Sequence, residues 1–507
     1  ILYITPFIIG SLAVFSFQPF NFTVINFFIL PIFLFFLVLI KKKSKSTYRK
    51  KPYRKNLFIL GTAFGFGFYL GNLHWIAHSL TFDNSFKILI PVAIIFIPLF
   101  LSLFFSIVTL LVGPFLNLNF NSIILFAGSL SLSDYLRAKI LTGFPWNLWA
   151  YSFSSFTEII QILEIVGLFT FNLIIITIFM LPAIIFLRVN FFSKAVTFTS
   201  IIVTFIFLYI YGDHSINNND NIERKEKFNI KVVSPNFKLE YGISLSEVEK
   251  RLNKLIKYSE PNKEIKTLFV WPEGVFSGYS FKEVQVFQKK FENEFSKKHY
   301  ILFGINRLDE QKKRFFNSLI ILNNQMQIMH EYNKQKLVPF GEFIPFEKKL
   351  NKLGLKKITE GYGSFLKGNK QGNIIFDGLN ILPLICYEII FTKLIQQSDK
   401  NTNLIINISE DGWFGNSIGP YQHFSKGIFR AIEQNAFLIR SANKGISAII
   451  NNKGQVIKKL EPSEIGNIEL EVPLVKSSKK NKNDLIFFIL LFTYIFIFKF
   501  NKNNYGK

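Results

Sequence analysis

The sequence predicts a multi-span α-helical membrane domain followed by a globular α/β domain. Three observations predict this fold class. Uncharged runs rich in Phe, Ile and Leu fill much of residues 1–211, and the mean hydropathy of the chain is positive, which exceeds what a soluble core needs. Between residues 212 and 480, charged residues become frequent and apolar runs shorten. There, β-rich runs alternate with amphipathic stretches, which favours a sheet covered by helices.

Seven apolar runs predict the helices of a membrane domain over residues 1–211. Residues 1–17 lack the basic start and the small-residue cleavage site of a signal peptide, so we interpret them as a span. Because the chain does not begin with Met, we expect a few further residues upstream. The predicted spans are 1–17, 22–40, 57–80, 88–113, 118–136, 165–187 and 195–211. A last apolar run is extended by snorkelling lysines, and we predict a C-terminal span over 485–500.

The distribution of Lys and Arg predicts how the chain lies in the membrane. The run "KKKSKSTYRKKPYRKN", residues 41–56, holds nine Lys or Arg next to apolar spans, a pattern that marks the cytoplasmic side. With a cytoplasmic N-terminus, the chain emerges on the outer side after seven spans, which places the domain of residues 212–480 outside. The segment "KSSKKNK", residues 476–482, puts four Lys on that outer side, although long outer domains partly escape the charge rule.

Composition excludes several classes of site. The chain of 507 residues has one Cys, six scattered His and a net charge of +25. One Cys excludes an intramolecular disulfide and a thiolate-rich metal site, so we expect no metal and no cofactor. The positive charge does not predict nucleic-acid binding, because the densest basic run is a short loop between two spans.

Short runs predict the strands and helices of the α/β domain. The predicted strands are 228–233, 267–271, 300–305, 317–322, 404–408 and 446–450, each rich in β-branched or aromatic residues. Helical spacing predicts helices over 246–258 and 424–437.

Three strand-like runs each end in a reactive side chain. "TLFVWPEG" reaches Glu273, "MHEYNKQKLVPFGE" carries Lys334 and then Glu342, and "LPLICYE" ends in Cys386. Reactive groups of open α/β sheets gather beyond strand ends. A thiol needs a base, and Glu273 can take its proton if burial favours the protonated carboxyl. Lys334 can then stabilise an oxyanion.

Each of these residues also has a structural interpretation. A lone Cys after an apolar strand is usually a small buried hydrophobe, Glu273 alone fits a surface loop, and Lys334 is one of many lysines. Only the three together favour catalysis. In this scheme the main-chain N–H of Tyr387 is the second oxyanion donor and Glu342 orients Lys334. For Arg430, Glu433 and Arg440 we predict structural ion pairs.

The order Glu273, Lys334, Cys386 resembles the catalytic triad of the nitrilase, or carbon–nitrogen hydrolase, superfamily. Longer segments resemble one family within it, the apolipoprotein N-acyltransferases. These segments are "GFPWNLWAYS" (143–152), "YNKQKLVPFGEFIPFE" (332–347), "ICYEIIF" (385–391), "ISEDGWFGNSIGPYQHF" (408–424) and "RSANKGISAII" (440–450). Two departures stand out. Gly274 occupies a position where Thr or Ser is expected, and "SEDGWF" brings a charge and a Gly where "NDAWF" is more usual.

The resemblance implies a nitrilase-like α-β-β-α sandwich over residues 212–480. It also implies acyl transfer through a thioester on Cys386, from a membrane phospholipid to the α-amine of a diacylglyceryl-cysteine apolipoprotein. Glu342, Tyr387 and Glu388 would support the triad, and Trp413, Phe414 and Trp146 would bind substrate. The protein is expected to be a monomer in the bacterial inner membrane, with its catalytic domain on the periplasmic side.

Several alternatives remain open from the residues. The amphipathic segment 342–358 is either an arm over the site or a surface helix, and the two Trp of "FPWNLW" fit an aromatic belt as well as a lipid site. A membrane-tethered amidase could use the same triad. A transporter or receptor with an outer ligand-binding domain is less consistent with spans that carry almost no ionisable groups.

Overall fold

The computed structural model describes residues 3–45, 52–187, 189–218, 226–240, 242–347, 363–474 and 484–504. The chain forms two compact units. The first comprises Ile1–Ala77, Ile88–Asn217 and Asn481–Lys507, and the second comprises His78–Lys87 and Asn218–Lys480. Parts of three sequence predictions lie outside the described residues: 46–51 of the basic run, 348–358 of the amphipathic segment, and 476–482.

The first unit is helical. Its α-helices are α1 (Ile4–Leu12), α2 (Asn26–Lys45), α3 (Pro52–Leu73), α4 (Ile90–Val112), α5 (Phe120–Lys139), α6 (Thr157–Ile160), α7 (Leu163–Val166), α8 (Leu168–Met180), α9 (Phe191–Asn217) and, near the C-terminus, α15 (Leu485–Asn504).

Within the described residues, five helical segments are long and apolar enough to cross a membrane, judged by length and composition. They are Thr23–Lys43, Tyr53–Thr81, Asn84–Phe115, Leu168–Phe186 and Phe191–Asn217, so a multi-pass membrane protein is confirmed. The spans predicted over 1–17, 118–136 and 485–500 stay predictions. Helix α5 is less apolar because it contains charged residues, among them Asp134 and Arg137. These two form a buried ion pair at 2.9 Å, and Asn172 donates a hydrogen bond to Asp134 at 3.0 Å.

The second unit contains the strands and the remaining helices. The strands are β1 (Lys227–Ser234), β2 (Thr267–Val270), β3 (His299–Asp309), β4 (Arg314–Leu322), β5 (Ile328–Asn333), β6 (Ile374–Phe376), β7 (Leu379–Ile385), β8 (Leu404–Glu410), β9 (Phe437–Asn443), β10 (Ser447–Ile450), β11 (Val456–Leu460) and β12 (Gly466–Pro473). The helices are α10 (Leu245–Ser259), α11 (Phe281–Val284), α12 (Gln288–Glu294), α13 (Thr392–Gln397) and α14 (Gly419–Gln434).

These strands form two six-stranded sheets with the orders β12-β1-β2-β3-β4-β5 and β11-β10-β9-β8-β7-β6. The central pairs β1–β2, β2–β3, β7–β8 and β8–β9 are parallel, and the remaining pairs are antiparallel. Parallel strands place their carboxyl ends at one edge of a sheet, where loops can direct side chains into a common site.

A shared apolar core shows that the two sheets pack face to face. Ile230 and Leu302 of the first sheet join Ile381 and Ile406 of the second in one buried cluster. A further cluster packs the outer face of the first sheet against α10, α11 and α12. The predicted fold class, a multi-span helical domain with an α-β-β-α sandwich, is therefore confirmed.

The predicted elements of the α/β domain are all present, with shifted ends. All six predicted strands form, and the helix predicted over 246–258 runs from Leu245, after a Ser244 N-cap, to Ser259. The helix predicted over 424–437 instead runs from Gly419 to Gln434. Pro420 in its first turn suits a helix start, and Asn435 ends it in the left-handed conformation.

Candidate active site

Cys386 follows the last residue of β7 and opens a tight turn over Cys386–Ile390. Its φ of 49° lies in the left-handed region, which side chains with a Cβ adopt only when surrounding contacts hold them there. The thiol is buried. The turn therefore fixes the direction of the sulfur at the carboxyl end of a parallel strand.

Glu273 and Lys334 also lie just past strand ends. Glu273 comes three residues after the end of β2, and Lys334 directly follows β5. Both side chains are buried. Lys334 Nζ donates to Glu342 Oε1 at 2.8 Å and to Glu273 Oε1 at 3.4 Å. The ammonium is thus shared between two carboxylates.

Asn317, which the sequence analysis did not single out, completes this cluster. Its Nδ2 donates to Glu273 Oε1 at 2.8 Å and to Glu342 Oε1 at 2.7 Å. The other oxygen of Glu273, Oε2, accepts from the main-chain N–H of Glu410 at 3.0 Å. Three different residues therefore hold the Glu273 carboxylate in one orientation.

The Cys386 sulfur belongs to the same electrostatic site. Burial raises the pKa of the Cys386 thiol above its usual range, Glu273 and Asp411 add to this, and Lys334 and a hydrogen bond with Ser409 oppose it. The resting group is a thiol. For Lys334, burial alone lowers the pKa, but Glu273, Glu342 and Cys386 together raise it. The site thus pairs a neutral thiol with an ammonium, and a nucleophilic role for this thiol would require a base.

Glu388 connects the segment that carries Lys334 to the segment that carries Cys386. Its carboxylate accepts from the Tyr332 hydroxyl at 3.0 Å, from the N–H groups of Gln335 and Lys336 at 2.7 and 2.9 Å, and from that of Ile385 at 2.9 Å. Burial raises the pKa of Glu388 to about 7. The carboxylate therefore ties the chain after Lys334 to the chain before Cys386.

The remaining predicted supporting residues have distinct positions. Glu342 also accepts from the N–H of Val338 at 2.8 Å, so it shapes its own loop as well as holding Lys334. The Tyr387 ring is partly exposed and lies 5.1 Å from the Phe391 ring. The role of the Tyr387 N–H as an oxyanion donor stays a prediction.

The predicted substrate-binding aromatics lie in both units. Trp413 and Phe414 belong to the turn Asp411–Phe414 that follows β8. The Trp413 ring packs edge-on against Phe82 at 5.1 Å, and the Phe414 ring against His423 at 5.4 Å. Trp146 is buried in the first unit, 4.9 Å from the Trp75 ring. Substrate binding by these three residues stays a prediction.

A buried ionic network lies next to Cys386, and only one of its members, Arg440, was predicted from the sequence. Arg440 Nη2 donates to Asp411 Oδ2 at 2.7 Å, and Ser409 Oγ donates to Asp411 Oδ1 at 2.6 Å. The predicted structural ion pairs are confirmed for Arg430 with Glu433, at 2.8 Å, whereas Arg440 pairs with Asp411. The Ser409–Asp411 hydrogen bond is local, but Arg440 reaches Asp411 from β9, 29 residues further along the chain, so this ion pair leaves no short-range sequence pattern.

Two family models match the chain. Residues 9–181 match the apolipoprotein N-acyltransferase N-terminal domain, and residues 240–479 match carbon-nitrogen hydrolase. The apolipoprotein N-acyltransferase of Rhizobium leguminosarum is 29% identical over 430 residues, which cover 82% of this chain and 80% of that protein. The protein of the same name from Rhodopseudomonas palustris is 29% identical over 432 residues, with coverage of 82% and 80%.

A CN-hydrolase superfamily protein from Xanthomonas campestris, solved by crystallography, superposes with a TM-score of 0.36 at 15% identity, covering 49% of this chain and 91% of that one. The sandwich and the match over residues 240–479 make the second unit a carbon–nitrogen hydrolase domain. The matches extend through the first unit and the relatives align over most of both chains, so the chain is similar to apolipoprotein N-acyltransferases in both of its units.

Proposed function

We propose that this protein is a phospholipid:apolipoprotein N-acyltransferase. It moves an acyl chain from a membrane phospholipid to Cys386, and then from Cys386 to the α-amine of a diacylglyceryl-cysteine lipoprotein. The observation that carries the proposal is the buried cluster in which Lys334 contacts both Glu273 and Glu342, next to a thiol on a strained turn. The similarity to apolipoprotein N-acyltransferases supports the substrate class.

In the first half-reaction, Glu273 takes the proton of the Cys386 thiol as the sulfur attacks the carbonyl carbon of the sn-1 ester. General-base assistance is needed because burial and Glu273 raise the pKa of that thiol. The tetrahedral intermediate places a negative charge on the former carbonyl oxygen, which Lys334 and the Tyr387 N–H stabilise. The C–O bond breaks, the lysophospholipid oxygen takes the proton from Glu273, and the acyl group stays on sulfur as a thioester.

In the second half-reaction, the α-amine of the lipoprotein attacks the thioester carbon and Glu273 takes a proton from the nitrogen. The C–S bond then breaks, and the leaving sulfur regains a proton from Glu273. An amide forms and the enzyme returns to its starting state. The thioester must be shielded from water between these steps, since hydrolysis would otherwise compete with transfer.

The proposed setting is the bacterial inner membrane, with the catalytic domain on the periplasmic side and the protein acting as a monomer. The five membrane-length helices support membrane insertion. The basic run over 41–56 supports a cytoplasmic loop between the second and third predicted spans. The domain limits of 1–211, 212–480 and 485–500 are part of this proposal.

Intact-mass analysis of the full chain incubated with phospholipid tests the reaction. The wild type should gain the mass of one acyl group, and addition of a diacylglyceryl lipopeptide with a free α-amine should remove it and yield the N-acylated peptide. Cys386→Ser should not gain the mass of an acyl group. Glu331→Gln is a matched control, because Glu331 pairs with Arg307 at 3.1 Å and lies outside the site described above.

Two results would count against the proposal. Release of fatty acid to water without transfer to the lipopeptide would support a membrane-tethered amidase or lipase. Unchanged lipoprotein processing in cells that carry only Cys386→Ala would exclude Cys386 catalysis and favour a transporter or receptor.

A further inference from the structure

Glu410 is a buried carboxyl at the active site to which the reaction above gives no role. It is the last residue of β8, and its own main-chain N–H donates to Glu273 Oε2 at 3.0 Å. Its side chain accepts from the N–H of Gly412 at 2.8 Å and from Asn443 Nδ2 at 2.8 Å. Glu410 therefore contacts both the catalytic carboxylate and the turn that carries Trp413 and Phe414.

The Glu410 carboxyl also lies against the residue that follows the base. A Cβ built on Gly274 would lie 3.7 Å from Glu410 Oε2, and Gly274 has a φ of 71°. These are the two places where the sequence departs from the motifs it resembles: a small residue after Glu273, and a charged residue before the aromatic turn. In the folded chain the two departures are in contact, so the longer side chain at 410 occupies space beside the bare Gly274 backbone.

We propose that Glu410 is a positioning residue for acylation of Cys386. The main-chain N–H of Glu410 fixes Glu273, and the carboxyl group of Glu410 holds the aromatic turn Asp411–Phe414 in place relative to Glu273. This inference rests on the proposed acyl transfer. Glu410 acts through Glu273 and the turn. A correctly placed base is needed within hydrogen-bonding reach of the thiol proton, and small displacements of such groups lower rates steeply.

The charges around Glu410 make its protonation state part of this role. Glu273 lies on the loop after β2. Asp411 directly follows Glu410 in the chain, and its charge is paired with that of Arg440. Lys444 lies across the turn, its Cδ 3.2 Å from the position of a Cβ on Gly412. Among the side chains that the structure describes, no cation forms an ion pair with Glu410.

Burial raises the pKa of Glu410 to about 8, and the charges of Glu273 and Asp411 add to this. In neutral solution the group is therefore mostly a neutral acid, and a glutamine at this position would match its charge. At higher pH it becomes a second carboxylate beside Glu273. That extra negative charge opposes the negative oxygen formed during attack, so the rate of acylation should fall as the pH rises through about 8.

The test is the rate at which the full-length protein gains an acyl group from phospholipid, measured by quenched intact-mass analysis over a range of pH. This half-reaction involves no substrate amine, so amine titration does not enter. Glu410→Gln should lack the wild-type decline above pH 8. Below pH 8 it should acylate more slowly than the wild type but faster than Glu410→Ala, because the amide keeps one of the two acceptor oxygens. Glu410→Ala should lower the maximal rate about tenfold or more at every pH, with little change in the phospholipid concentration for half-maximal rate.

Glu331→Gln serves as the control and should keep the wild-type profile. The ionisation of Glu388, expected near pH 7, should appear in every variant, so the difference between wild type and Glu410→Gln isolates Glu410. The inference is overturned if Glu410→Gln keeps the same alkaline decline, or if Glu410→Ala acylates at the wild-type rate. If Glu410→Ala does not fold, the pH profile of Glu410→Gln still decides. Failure of the wild type to acylate would instead refute the proposed function.

Discussion

The Nε2 atom of His423 lies 3.2 Å from the main-chain carbonyl oxygen of Cys386. A carbonyl oxygen can only accept, so Nε2 carries the hydrogen of this contact. Burial lowers the pKa of the His423 ring, and Asp411 opposes this. On the other side of the ring, Nδ1 lies 3.0 Å from Asp411 Oδ1 and 3.0 Å from Arg440 Nη2. The buried network therefore holds the backbone of Cys386 in its left-handed conformation.

Replacing His423 with Phe should remove this support while keeping a planar ring. The lost hydrogen bond and the unsatisfied carbonyl should raise the barrier to acylation by about 1–3 kcal/mol, or roughly 5- to 150-fold in rate. The measurement is the rate of thioester formation on Cys386, followed by intact mass. His330→Gln is the control, since His330 lies on β5 and stacks on Phe376. Equal rates for His423→Phe and the wild type would show that the turn is fixed by other contacts.

Asn317→Ala and Asn317→Asp should both slow acylation, and the Asp variant should be the slower one. Asn317 donates to Glu273 Oε1 and to Glu342 Oε1, so Ala removes one of the two donors of each oxygen and leaves only Lys334. Asp adds a third carboxylate to the pair. The loss for Ala should be about tenfold to a hundredfold. Asn323→Ala changes an exposed turn and should have no effect. An Asp variant faster than the Ala variant would contradict this electrostatic account.

Much of the fold could be predicted from the sequence because its signals are local. The β-rich run at 404–408 and the amphipathic pattern at 246–258 each depend on neighbouring residues only, as do the strand ends that carry Glu273, Lys334 and Cys386. The roles of these three residues stay predictions, although the structure brings Glu273 and Lys334 into direct contact and places Cys386 within their electrostatic reach.

Asn317 and His423 could not be predicted in the same way. Asn317 is aligned with Lys334 because β4 pairs with β5, and the N–H of Lys334 donates to the Asn317 carbonyl oxygen at 2.9 Å. His423 reaches Cys386 from α14, a helix that begins 33 residues after Cys386 in the chain. Strand register and helix docking determine both contacts, and neither leaves a short-range pattern.

Lys334→Met should destabilise the second unit as well as abolish acylation. The buried ammonium compensates Glu273 and Glu342, whose side chains are about one-tenth exposed. Removing one partner of a buried charge cluster costs about 3–5 kcal/mol, because the remaining charges stay desolvated. Thermal unfolding in detergent measures this, with exposed Lys370→Met as the control. Adding Glu342→Gln to Lys334→Met should recover part of the loss, and no recovery would contradict charge imbalance as the cause.

Glu388 should make stability fall with rising pH. Burial raises its pKa from 4.5 to about 7, so the folded state binds the proton more tightly than the unfolded state. The sign follows from linkage: stability is greatest below pH 4.5 and is lost as the pH rises through about 7, by an amount on the order of 3 kcal/mol.

Glu388→Gln should flatten that part of the curve of unfolding free energy against pH, even though the amide loses an acceptor and is less stable overall. Urea unfolding of both proteins across this pH range is the measurement. Parallel curves for the two proteins would show that Glu388 has the same pKa in the folded and unfolded states, which would contradict the prediction.

Gly67→Leu should disrupt packing in the first unit. A Cβ on Gly67 would lie 2.1 Å from the Phe7 carbonyl oxygen, and one on Gly10 would lie 2.1 Å from the Phe64 carbonyl oxygen. Helices α1 and α3 therefore approach each other through reciprocal glycines, as small residues allow in membrane helix pairs. A larger side chain must push backbone against backbone, which should cost at least about 1–3 kcal/mol. Ala63→Leu, one turn earlier on the same helix, is the control, and it should melt in detergent several degrees above Gly67→Leu. Equal melting temperatures for Gly67→Leu and the wild type would mean that α1 can move away from α3 without loss.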